Sequence, residues 1–227
     1  VTPPPLTLAA LVGHHVATLT CPWPEPTTPI TWVVAVNGTF KHGCSADLDV
    51  VIQVWSGDCG IPGLARLLPQ VRWSAWPQRL PGDLLAPLLE SARQAMAPTG
   101  ASSVLRPVEK QFFLVWRDGT VRLIAPRAQE GTASHLRYTM PERGVVLCDI
   151  HSHHAMRPYF SATDDRDDAG LSVSVVIGDI YQRPTLLCRL NVYGHRQIVP
   201  AALVFDHLGP FRDAGSASEE RHAVSDD

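Results

Sequence analysis

Asp149-Ile150-His151-Ser152-His153-His154-Ala155-Met156-Arg157-Pro158-Tyr159-Phe160-Ser161-Ala162-Thr163-Asp164 is the stretch from which the rest of the chain can be placed. It follows the apolar run Gly144-Val145-Val146-Leu147, which reads as a strand. On a strand, side chains two residues apart share a face. His151 and His153 are two apart, so both imidazoles point one way and can share a metal ion. Seven residues separate His153 from Ser161, and three further on Asp164 offers a carboxylate oxygen as a third donor. Such a donor set suits a borderline-soft cation such as zinc and leaves one tetrahedral position open for water. An isolated His-x-His would read as two hydrogen-bonded strand residues, and Ser161 alone as a helix or turn cap. Asp164, Asp165, Asp167 and Asp168 alone would read as a solvated acidic helix face. The combined spacing singles out His151, His153 and Asp164.

The neighbours of this pair have ordinary readings. His154 would face the opposite side of the strand and line the rim. Cys148 also lies on the other face and reads as a buried apolar residue. Ser152 points away from its neighbours, so no Ser-His-Asp nucleophile competes with the metal reading.

Composition bounds the partners. The chain has 227 residues, 45% of them hydrophobic, enough for a sizeable core and too many for a wholly disordered chain. A formal charge of −3 and a pI near 6.4 provide no basic face, so no direct nucleic-acid partner is expected. The five cysteines (Cys21, Cys44, Cys59, Cys148 and Cys188) are widely spread and contain no Cys-x-x-Cys pair. This argues against a disulfide framework or zinc ribbon and for a reducing, cytoplasmic setting. The apolar run over residues 6–12 follows three prolines, lacks a basic flank and is too short to span a bilayer, so no membrane partner is expected.

Three regions are expected: a small β-rich module over residues 1–80, a larger domain over 81–212, and a polar, disordered tail over 213–227. Residues 1–80 hold five of the six tryptophans. Trp73 and Trp76 at their spacing read as core residues. The runs Ile30-Thr31-Trp32-Val33-Val34-Ala35-Val36 and Leu48-Asp49-Val50-Val51-Ile52-Gln53-Val54-Trp55 read as strands, with Asn37-Gly38 as a turn after the first. Gly57, Gly60 and Gly63 match no phosphate-loop spacing and read as turn glycines. After Pro81-Gly82 comes a helix over residues 83–96 with Leu84, Leu85, Leu88, Leu89, Ala92 and Met96 on one side. It starts either at an Asp83 cap or at Pro87, whose missing N–H matters little at a helix start. A hairpin follows, with arms over 109–116 and 121–124. Residues 129–134 read as loop, 145–153 as the histidine-bearing strand, 162–170 as a helix, and 171–177, 185–192 and 197–205 as strands. This order describes an α/β sandwich around a mixed sheet.

The pattern His-Ser-His, seven residues, Ser, two residues, Asp resembles the signature of the JAMM (MPN+) metalloprotease family at every fixed position. The His-Ser-His-His opening, the Phe-Ser-Ala-Thr-Asp-Asp continuation and the long N-terminal region look most like the JAMM proteins of PRTRC gene clusters on bacterial plasmids. What the resemblance implies agrees with the α/β sandwich and adds roles. His151, His153 and Asp164 would bind Zn2+. Glu109, at a strand start some forty residues upstream, would move the water proton, and Ser161 would support the oxyanion. Glu130 and Glu142 are the alternative carboxylates, both in loop-like sequence. The implied activity is that of a zinc metallopeptidase, a hydrolase acting on a peptide or isopeptide bond at the C-terminal tail of a ubiquitin-like or sulfur-carrier-like protein, with an E1-like protein as a further partner. The alternative is a non-catalytic scaffold or binding module in a plasmid-encoded complex, although MPN proteins of that kind have usually lost the ligands present here.

Overall fold

The computed structural model describes residues 11–25, 27–98, 104–126, 129–131, 136–139 and 144–216. Strands β1 (Val12–Val16), β2 (Ile30–Ala35), β3 (Gly38–Cys44), β4 (Leu48–Ser56) and β5 (Gln70–Trp73) form a first sheet in chain order. Its first pair is parallel and the others are antiparallel. The expected Asn37-Gly38 turn is present, and Gly38 has φ 135°, a conformation that favours glycine.

A 3-10 turn over Gly82–Leu84 leads into α1 (Leu85–Arg93). The helix is shorter than expected at both ends. Pro87 falls in its first turn, where the missing N–H breaks no intrahelical bond. Met96 lies in β6 (Met96–Pro98), which pairs with β7 (Leu105–Pro107). The second sheet then forms from β8 (Gln111–Arg117), β9 (Thr120–Ile124), β12 (Val145–Ser152), β13 (Leu171–Gly178), β14 (Thr185–Val192), β15 (His195–Val199) and β16 (Arg212–Asp213). The small hairpin β10 (Gln129–Gly131) and β11 (Leu136–Tyr138) precedes β12, so part of the stretch read as loop is strand, and residues 132–135 lie outside the described residues. Helix α2 (Ala162–Asp167) lies between β12 and β13. The order is β15-β14-β13-β12-β8-β9, with β16 also against β14. β12 and β13 are parallel while β12 and β8 are antiparallel, so the sheet is mixed.

The expected sandwich is therefore more β-rich than the sequence reading has it, with sixteen strands and two α-helices among the described residues. The strand expected over 197–205 ends at Val199, because Pro200 precedes a 3-10 turn over Ala201–Leu203. Asp213, where a disordered tail is expected to begin, sits in β16 and accepts the Ala201 N–H at 2.8 Å. Residues 217–227 lie outside the described residues.

Apolar burial explains how these layers meet. Leu85, Leu88, Leu89 and Ala92 of α1 belong to one cluster with Phe112, Leu114, Leu147, Ile150, Val175 and Ile177 of the second sheet. Leu48, Val50 and Ile52 of β4 and Trp73 of β5 enter the same cluster. Each fully buried Val, Leu, Ile or Phe side chain among them contributes roughly 1.5–3 kcal/mol by leaving water. The register of β12 against β8 shifts between Val146 and Cys148. At that bulge the carbonyl of Leu147 accepts the buried indole N–H of Trp73 at 2.6 Å. Gly43 of β3 permits a close approach of the two sheets, since a Cβ there would sit 2.6 Å from Leu171 Cδ1 and 2.8 Å from Val192 Cγ1.

Candidate metal centre

β12 is central in the second sheet, and the metal-ligand candidates stand at its C-terminal end. His151 is opposite Gln111 of β8 and Val176 of β13. His153 lies just past the strand, where its N–H still donates to the Ile177 carbonyl at 2.8 Å. The two Nε2 atoms approach to 3.2 Å. The chain then turns sharply: His154 has φ 35°, and its carbonyl accepts the Ile180 N–H at 2.9 Å. His154 thus belongs to a turn rather than to the far face of the strand, and its buried Nε2 has no partner among the described residues.

Asp164 arrives from α2. Ser161 is the N-cap, and its Oγ accepts the Asp164 N–H at 3.2 Å while Asp164 Oδ2 accepts the Ser161 N–H at 2.5 Å. This reciprocal pair is a capping box with Asp in the place usually held by Glu. It fixes one carboxylate oxygen and leaves Oδ1 3.6 Å from His151 Nε2. The Ser-x-x-Asp part of the pattern therefore has a local physical cause. A hydroxyl accepting one bond still has its own proton to donate, so Ser161 retains a donor.

Glu109 is buried, with Oε1 3.8 Å from His153 Nε2. Ser152 sets this distance. Wholly buried, it donates its N–H to the Lys110 carbonyl and accepts the Lys110 N–H on Oγ, each at 3.0 Å. That exchange fixes the residue after Glu109 beside the histidines, a role the sequence reading missed. Of the alternative carboxylates, Glu130 lies in β10 and Glu142 lies outside the described residues. The Tyr159 ring meets His153 edge-on with centroids 4.5 Å apart. Gly178, at the end of β13, leaves room for this loop, because a Cβ there would fall 2.4 Å from the Met156 carbonyl oxygen.

The electrostatics match the donor chemistry. Burial holds both imidazoles below the usual histidine range, with His153 at about 4, so both are neutral near pH 7 and able to donate to a cation. Burial, aided by the charge of Asp164, pushes Glu109 up to about 7. One ligand atom from each of His151, His153 and Asp164 lies within 4.8 Å of the other two. Two neutral imidazoles and a carboxylate oxygen this close fit zinc. Beside them Asp149, two residues before His151, is pushed up to about 8 by burial and the charge of Asp168. It lines a cavity of about 330 Å³ with Asp168, Phe113 and Tyr138, on the same strand face as His151.

No curated protein matches the chain. Residues 89–190, from within α1 to β14 and including Glu109, His151, His153, Ser161 and Asp164, match the family model described as prokaryotic homologs of the JAB domain.

Proposed function

We propose that this protein is a zinc-dependent peptidase or isopeptidase that hydrolyses a bond at the C-terminal tail of a ubiquitin-like or sulfur-carrier-like protein. The observation that carries the reading is the convergence of His151, His153 and Asp164 within 4.8 Å, with the buried carboxyl of Glu109 3.8 Å from His153. When bound there, zinc supplies Lewis acidity that acidifies water and polarises a carbonyl. Glu109 takes a proton from water and returns it to the leaving amine. Burial raises this carboxyl toward neutrality in the metal-free site, the direction that suits a group that must both take and return a proton. The Ser161 hydroxyl donates to the carbonyl oxygen as negative charge develops on it. Ser152 keeps Glu109 in reach by fixing Lys110, and the capping box holds the Asp164 carboxylate toward His151.

The narrower identity we propose is protein A of a PRTRC plasmid cluster, acting in the cytoplasm beside an E1-like protein. Five free thiols favour a reducing compartment. Among the described residues no helix is long and apolar enough to cross a membrane.

The test incubates zinc-loaded protein with carrier proteins bearing C-terminal extensions and locates cuts by mass spectrometry. The wild type should cleave. Glu109→Gln should keep its zinc and lose roughly 10²–10⁴-fold in rate, as is usual when a general base is removed. Wild-type rates in the Gln variant would remove Glu109 from the mechanism. Absence of cleavage by the zinc-loaded wild type would favour a scaffold.

A further inference from the structure

α2 carries Asp164, yet it has only six residues and none of them is buried. A helix this short is unstable alone, and helices in proteins normally gain their stability from a packed apolar face. α2 has no such face, so something else must hold the carboxylate against His151. The capping box restrains its N-terminal end. The remainder is held by Arg189 of β14.

Arg189 is 4% exposed. Its Nη1 donates to Asp165 Oδ1 at 2.6 Å and its Nη2 to Asp168 Oδ2 at 2.7 Å. Its guanidinium carbon lies 3.7 Å from the centroid of the Phe160 ring. One side chain thus touches residues 160, 165 and 168, on both sides of Ser161 and Asp164. The base is firm, because β14 is paired with β13 on one side and with β15 and β16 on the other. In register, Arg189 faces Ser174, which in turn faces Asp149 of the histidine-bearing strand. Arg196 of β15 adds a hydrogen bond from Nη2 to the Asp165 carbonyl.

Resting on the zinc reading above, we infer that Arg189 is a positioning residue for the metal site, a clamp that ties α2 to the sheet and holds Asp164 at ligand distance from the histidines. Only a guanidinium can do this in one side chain, with two parallel donors for two carboxylates and a flat face for an aromatic ring. Compared with apolar packing a buried ion pair contributes little net stability, since desolvation offsets the attraction, although removing one partner strands the other charge and lowers the melting temperature. The clamp therefore acts through geometry more than through stability.

Two variants test it, each followed by zinc affinity against a chelator, by the visible spectrum of the cobalt(II)-substituted site, and by thermal unfolding. Arg189→Gln removes the clamp from the sheet side. Asp165→Ala with Asp168→Ala removes both acceptors from the helix side and leaves the sheet unchanged, so it decides the matter if Arg189→Gln fails to fold. Both should unfold cooperatively, bind zinc about 10–100-fold more weakly, and show a cobalt spectrum shifted toward that of Asp164→Ala. A double Ala variant with wild-type zinc affinity and cobalt spectrum would overturn the clamp, even with a lowered melting temperature. A wild-type protein that binds no zinc would instead overturn the metal reading, and the clamp with it.

Discussion

Glu109 links the chemistry to stability in the metal-free protein. Its carboxyl moves from 4.5 to about 7 on folding, so the fold favours the neutral form. The unfolded chain releases this proton first as pH rises, and the residue destabilises the metal-free fold increasingly between pH 4.5 and 7. Glu109→Gln should therefore stabilise the metal-free protein at pH 8 by about 3 kcal/mol, because each pH unit in that window adds about 1.36 kcal/mol, and by little at pH 4. Denaturant midpoints of both proteins at the two pH values check this, and an equal difference at both would contradict it. His151 and His153 act with the opposite sign: burial holds both below the usual histidine range, so they erode stability as pH falls below 6.5, His153 until about 4, equally in both proteins. Residues whose work is local were legible in the sequence. Same-face spacing placed His151 beside His153, and Ser161 and Asp164, three positions apart, are joined by a capping box. The tasks of Ser152 and Arg189 were not legible, because their partners Lys110 and Asp165 lie far away in sequence and meet them only through strand order.

At the scale of elements, strands with strong apolar runs are legible almost to the residue: the stretch over 185–192 is β14 end to end. The final strand reads too long because apolar residues continue through Ala201–Leu203, where Pro200 has already turned the chain. The loop between β12 and α2 had no sequence signal for its position, which is set by the backbone bonds from Asp179 N–H to the Met156 carbonyl and from Ile180 N–H to that of His154. Gly178 lets these two segments touch. Gly178→Ala forces backbone against Cβ, which at packed sites costs roughly 1–3 kcal/mol. It should push the loop with Tyr159 off His153 and weaken zinc binding about tenfold, within the range for supporting residues. Chelator competition measures this, and an unchanged affinity would mean that the loop does not support the ligands.

The two sheets share one apolar cluster across residue 80, and among the described residues polar ties join them: Trp73 to Leu147, Lys41 to the Tyr193 carbonyl and to His195 Nδ1, and Gln53 N–H to the Gln197 side chain. A chain beginning at Pro81 would expose the β4 and β5 side of that cluster and leave the Leu147 carbonyl without its indole partner. It should lose cooperative unfolding and its near-ultraviolet circular dichroism. The division near residue 80 read from composition predicts the opposite, a truncated chain that folds and keeps its metal, so one unfolding curve decides between them. Two donors at the end of β12 and one on α2 converge, and the zinc proposed for them can be counted directly. Elemental analysis of purified wild-type protein alongside the His151→Ala/His153→Ala double variant, both checked for cooperative unfolding, should find close to one zinc per wild-type chain and almost none in the variant. Equal zinc in the two proteins, or none in the wild type after incubation with the ion, would contradict the site.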